Sequence, residues 1–154
     1  MIPSFIVIDA NLLILLLVGL YNENQIKAFK RTANFTVKDY EVIKFYFNNA
    51  EKVYITPHIL TEVSNLTDRY WNNYNLFNTF KALTKSQIEV YIPKEKLLGF
   101  QFLPQIGIAD SSLYFAAKET NSVVITDDEE CVPYLESLDC KVLRFSVIQK
   151  LMRG

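Results

Sequence analysis

The segment Phe5-Ile-Val-Ile-Asp9-Ala-Asn11 constrains this chain more than any other: a short apolar run stops on a carboxylate, and an amide follows two residues later. Such a run suits a strand buried on both faces of a parallel sheet, which delivers its last polar side chain to the carboxyl edge, where ligands bind in open α/β folds. Asp9 is therefore the first candidate working residue, although an Asp that merely ends a strand and opens a turn is an ordinary use of this side chain. Residues 12–20 continue as a helix that is apolar almost all round, which demands cover from several neighbours or from a second subunit. Gly19 reads as a stop signal near its end. The run is far shorter than the roughly 20 residues a bilayer needs. No Lys or Arg precedes it and no small-residue cleavage pattern follows, so a signal peptide is not expected.

Strand and helix alternate along the rest of the chain. A polar stretch at 21–34 carries Lys27, Lys30 and Arg31, read as a solvated helical face or as a basic lip beside an acidic site. Residues 36–49 space Tyr40, Ile43 and Phe47 at helical intervals. A strand at 53–55 feeds a helix through Thr56-Pro57, an N-cap with proline at the first helical position. On that helix His58, Glu62, Asn65 and Arg69 share a polar face, with Glu62 about a turn and a half in. The aromatic run Tyr70, Trp71, Tyr74, Phe77 and Phe80 reads as packing or a dimer surface, with base stacking on a single strand as the alternative that Lys81 and Lys85 favour. A strand at 88–92 and an irregular stretch at 94–107 follow. A helix led by Ala109-Asp110, a strand at 123–125 closed by Thr126-Asp127-Asp128, a helix at 130–138, a strand at 141–144 and a helix from 146 complete the chain. The pattern predicts one domain of α/β class, with a central, mostly parallel sheet flanked by helices.

Composition enters where it restricts partners. The 154 residues, 50% hydrophobic, suffice for a proper core, but the net charge of −1 and pI near 5.9 give no overall attraction to nucleic acid, leaving only local patches. Cys131 and Cys140 lack C-x-x-C spacing and read as small apolar or surface residues of a cytosolic protein.

Several acids fall where strands end or helices begin. Asp9 and the pair Asp127 and Asp128 lie just past buried strands; Glu62 and Asp110 lie in the first turns of helices that start from the same edge. Taken singly, Asp110 serves as a helix cap, Glu62 as a solvated residue and Asp127-Asp128 as a turn. Taken together, converging carboxylates without matching cations raise one another's pKa values, and a divalent cation removes that penalty. Oxygen donors without a Cys or His cluster point to Mg²⁺ or Mn²⁺ and to phosphoryl chemistry. No nucleophile motif is present; His58, the single histidine, would stand beside the site through its spacing to Glu62.

The patterns Ile-Val-Ile-Asp9-Ala-Asn11, Ile59-Leu-Thr-Glu62-Val, Ile108-Ala-Asp110 and Val124-Ile-Thr126-Asp-Asp128 resemble, in order and spacing, the PIN domain, and in particular the VapC-like toxin ribonucleases of prokaryotic toxin–antitoxin pairs. The resemblance spans nearly the whole chain. It implies a three-layer PIN-like fold and Mg²⁺- or Mn²⁺-dependent cleavage of single-stranded RNA, with Asp9, Glu62 and Asp110 as core metal-binding acids and the fourth acid at Asp128 or its neighbour Asp127. It further implies Asn11 and Thr126 as supporting residues, a cytoplasmic homodimer, and a small antitoxin whose tail enters the acidic groove. Ala10 departs from the hydroxyl residue common at that position. Possible RNA contacts are Lys27, Lys30, Arg31, Arg69 and Lys81. Two other readings are a noncatalytic PIN-fold binding module and a receiver-like phosphoacceptor; the second would need a lone Asp after the third strand and a Lys after the last. A haloacid-dehalogenase-like phosphatase would need an Asp where Asn11 stands.

Overall fold

The computed structural model describes residues 2–153. Five parallel strands form the sheet: β1 (Phe5–Ile8), β2 (Lys52–Ile55), β3 (Ile88–Glu89), β4 (Val123–Thr126) and β5 (Val142–Arg144), in the order β3-β2-β1-β4-β5. The helices are α1 (Ala10–Tyr21), α2 (Val37–Asn49), α3 (Pro57–Thr67), α4 (Tyr74–Lys85), α5 (Lys94–Leu98), α6 (Leu103–Thr120), α7 (Val132–Glu136) and α8 (Phe145–Arg153). The α/β class, the parallel sheet and its flanking helices are as the alternation predicts.

The strand order places the functional edge. The chain steps outward from β1 to β2 and β3, then returns to the other side of β1 for β4 and β5, so the topological switch point lies between β1 and β4. Loops leaving adjacent strands diverge there and open a crevice beyond their carboxyl ends. The sheet of a receiver domain runs 2-1-3-4-5, so this order excludes the receiver-like reading.

Residues 12–18 of α1 are each at most 2% exposed, and the helix is enclosed by α2, α3 and α4. Cover for residues 12–18 therefore comes from within the chain, while Leu20 at the end of the run is exposed. Gly19 is not a stop: α1 continues to Tyr21, and the Tyr40 ring of α2 lies against the Gly19 backbone so closely that a methyl there would overlap it. Among the described residues no helix is long and apolar enough to cross a membrane.

Other differences have local causes. The 21–34 segment is a 3-10 turn at Glu23–Gln25 followed by turns, pinned by the buried Thr32 hydroxyl donating to the Ile26 carbonyl. The third strand is shorter than 88–92, although Val90 N–H still donates to the Ile55 carbonyl. Residues 94–107 are largely helical, because Pro104 sits in the first turn of α6, where its missing N–H costs nothing. The predicted helix at 130–138 shrinks to α7, preceded by a turn in which Glu130 N–H donates to Asp128 Oδ1.

Candidate metal centre

Asp9 is 3% exposed and caps α1: Oδ1 accepts from Leu12 N–H at 2.9 Å. Oδ2 accepts from the Thr126 hydroxyl at 2.5 Å and from Asp127 N–H at 3.0 Å. One carboxylate thus joins the end of β1, the start of α1 and the exit of β4, and Asp9 N–H also donates to the Ile125 carbonyl. These donors favour the ionised form, yet burial, reinforced by the charge of Asp127, holds the Asp9 pKa well above the usual carboxylate range.

Thr126 passes the organisation onward. While donating to Asp9, its Oγ1 accepts from Asp128 N–H at 3.0 Å. The two acids of the Thr-Asp-Asp turn then diverge. Asp127 faces Asp9 and Asn11, whose side chains lower its pKa against the larger raising effect of burial; its Oδ1 is buried without a hydrogen-bond partner. Asp128 faces Asp110. The Asp110 carboxyl is pushed up to about 7, first by burial, then by its contact with and the charge of Asp128, with further contributions from Glu62 and Asp127. Of the five predicted acids, Asp110 and Asp128 come within ligand distance of each other, Glu62 and Asp127 act on Asp110 through their charge, and Asp9 is tied to Asp127 N–H, so the pair after β4 serves two sides of one acidic patch.

Two helix starts set the far side of the cluster. Thr56 caps α3 by accepting from Ile59 N–H at 3.1 Å, and its hydroxyl meets Ser112 Oγ at 2.7 Å. Ser112 in turn donates to the Ala109 carbonyl at 2.6 Å, so Thr56 is the donor in the pair. Asp110 is not a helix cap. The break in α6 lies at Gly107, whose φ of +83° is readily adopted only by glycine, and Asp110 occupies the first turn after it.

Cys131 is the neighbour that sequence reasoning missed. It is 1% exposed, its Sγ donates to the Asp128 carbonyl at 3.3 Å, and one ligand atom each from Cys131, Asp110 and Asp128 lie within 4.8 Å of one another. Burial and the charges of Asp110 and Asp128 push its thiol pKa far up. The only sequence signal was its position three residues after Asp128 in a turn. His58 stays apart: its pKa is lowered by burial alone, no carboxylate contributes, and Nδ1 has no partner.

The predicted basic residues separate into groups. Lys27 donates to the Ala33 carbonyl at 3.1 Å. Lys81 lies over the Phe77 ring and lines an apolar groove with Leu60, Trp71 and Phe80 between α3 and α4. Lys30, Arg31 and Arg69 line one cavity. Arg69 is not on α3, which ends at Thr67, but in a 3-10 turn at Asp68–Tyr70. The aromatic run packs largely on itself, Trp71 on Phe80 at 4.8 Å and on Phe77 at 5.3 Å, while Tyr74 stays 77% exposed.

Searches against known proteins find no matching family model and no matching curated protein.

Proposed function

We propose that this chain is a Mg²⁺- or Mn²⁺-dependent endoribonuclease of the PIN type that cleaves single-stranded RNA and acts in the cytoplasm as the toxin of a toxin–antitoxin pair. The observation that supports the reading is the acidic patch at the switch point, in which Asp9, Asp127, Asp128, Asp110 and Glu62 act on one another and no Lys or Arg is among the leading causes of the pKa shifts of Asp9, Asp110 or Asp127. Such a cluster is costly without a cation.

The donor set fits a hard cation. All five acids offer oxygen, and Asp127 Oδ1 is a buried acceptor with nothing to accept from. Asp9, Glu62, Asp110, Asp127 and Asp128 would hold the ion. The Cys131 thiol, kept protonated by its surroundings, offers a hard ion little. When bound, a divalent cation of this kind lowers the pKa of a water and offsets charge developing on a phosphodiester under attack. The protein's own part is preorganisation: Thr126, Leu12 N–H and Asp127 N–H fix Asp9, and the Thr56–Ser112 contact fixes the helices bearing Glu62 and Asp110. Asp110 carries a proton near neutrality that must leave before it can bind a cation.

Single-stranded RNA incubated with purified protein and Mg²⁺ or Mn²⁺ tests the proposal, beside Asp9→Asn and Asp110→Asn. Cleavage by the wild type and not by the variants is expected; equal cleavage by all three marks a contaminant. No cleavage of any RNA by a protein that still binds the cation favours the noncatalytic binding module. The homodimer and the antitoxin belong to the same proposal, and light scattering at micromolar concentration tests the first.

A further inference from the structure

Lys30, Arg31 and Arg69 converge on a cavity of about 140 Å³ floored by Ile14 of α1 and Asn65 of α3. No acid lines it, and none of the three cations forms an ion pair among the described residues. In a chain of net charge −1, such a concentration of unpaired positive charge is local and specific.

The cavity is also built. Arg69 is held by its own neighbour, with Nη2 donating to the Tyr70 hydroxyl at 2.7 Å and the guanidinium lying over the Tyr70 ring at 4.9 Å. Tyr70 in turn packs on Phe29 at 4.6 Å, beside Lys30 and Arg31. A guanidinium fixed in this way is preorganised for oxygen acceptors and loses little freedom on binding them. The volume is below the roughly 300–1,000 Å³ of a typical small-molecule site, so it suits a small anionic group rather than a whole nucleotide.

Two helices connect this cavity to the acidic cluster. On α1, Asn11 touches the cluster and Ile14, a turn later, lines the cavity; on α3, Glu62 faces the cluster and Asn65, a turn later, lines the cavity. Positions three apart share a helix face, so the two sites are neighbours on one surface. The rise along α3 from Glu62 to Thr67, its last residue and part of the cavity wall, is about 7.5 Å, which a few nucleotides of extended strand bridge.

We infer that the Lys30–Arg31–Arg69 cavity is a phosphate subsite that holds an internucleotide phosphate of single-stranded RNA a few nucleotides from the acidic cluster. The identity of the strand rests on the nuclease reading; the affinity for backbone phosphate does not.

The test is binding without chemistry: anisotropy of a short fluorescein-labelled single-stranded RNA with the full chain in EDTA, across a salt series. Lys30→Gln with Arg31→Gln is expected to weaken binding roughly 10-fold and to flatten the log–log salt slope by about 0.7, the share of one single-strand phosphate. Arg69→Gln is expected to do the same and Arg69→Lys to recover part of the loss. Lys30 and Arg31 are exposed, so the first pair tests the subsite without disturbing the fold. Wild-type affinity and slope in that pair, or no binding by the wild type, overturns the inference. Cavity-dependent binding by a protein that cleaves no RNA with Mg²⁺ or Mn²⁺ retains the subsite and removes the nuclease reading instead.

Discussion

The Thr56 and Ser112 hydroxyls, 56 residues apart in sequence, lie 2.7 Å from each other within an unbroken series of donors: Ile59 N–H to Thr56, Thr56 to Ser112, Ser112 to the Ala109 carbonyl. Ser111, adjacent and equally buried, has a hydroxyl with no partner. Opposite outcomes are expected at the two serines. Ser112→Ala should cost about 1–2 kcal/mol and leave Thr56 without its acceptor, whereas Ser111→Ala should be neutral or slightly stabilising, because it removes a buried group that bonds nothing. Urea unfolding of both variants measures the contrast. Mg²⁺ affinity should fall several-fold in the first only, since that bond fixes the helices carrying Glu62 and Asp110.

The acidic cluster predicts an unusual pH profile for the metal-free protein. Asp110 has its folded-state pKa raised to about 7, above an unfolded value of roughly 4. Its contribution to stability is therefore full below about pH 4 and is lost as pH rises through about 7; Asp9 and Asp127 are shifted in the same direction. Denaturant melts in EDTA should show a loss on the order of 3 kcal/mol between about pH 5 and pH 8. Mg²⁺ should restore it at the upper end, and Asp110→Asn should flatten the profile. A wild-type profile as flat as the variant's would sink this account of the site.

Gly19→Ala should destabilise by more than the usual 1–3 kcal/mol of an overpacked core, because the added methyl meets the buried Tyr40 ring. A second-site Tyr40→Leu, which vacates that space, should recover part of the loss. Thermal melting of the single and double variants gives the coupling directly.

Both thiols should resist labelling in the folded protein. Cys131 and Cys140 are buried, burial pushes the Cys140 pKa to about 11, and Cys131 is driven higher still. Reaction with a thiol-specific chromophore at about pH 8 should wait for unfolding. Rapid labelling of either thiol before then would show that its cover opens in the native state.

How legible the site was depended on how local each residue's cause is. Asp9, Asp127 and Asp128 announced themselves because a buried strand followed by a carboxylate is a short-range pattern, and Glu62 followed from Thr56-Pro57. Asp110 was expected in the first turn of a helix at this edge, where it lies, but its alternative use as a cap could not be dismissed from sequence, since the break that starts its helical segment is at Gly107 and depends on a backbone angle. Arg69 was placed on a helix that ends two residues before it, where the Thr67 hydroxyl turns back onto the Val63 carbonyl. The pairing of residues 29–31 with the end of α3 was not readable at all, because no local pattern encodes which distant loop meets a helix terminus.

Enclosure of α1 on several sides has a consequence for synthesis. The helix precedes in sequence every helix that covers it, and its cover is complete only when α4 has followed, 64 residues after Tyr21. At about 5–20 residues per second that is roughly 3–13 s, during which a nearly all-apolar segment lacks its native partners. The tightest part of the finished core is thus the most exposed liability of the unfinished chain, and cooling during expression, which weakens apolar association, should raise the soluble yield.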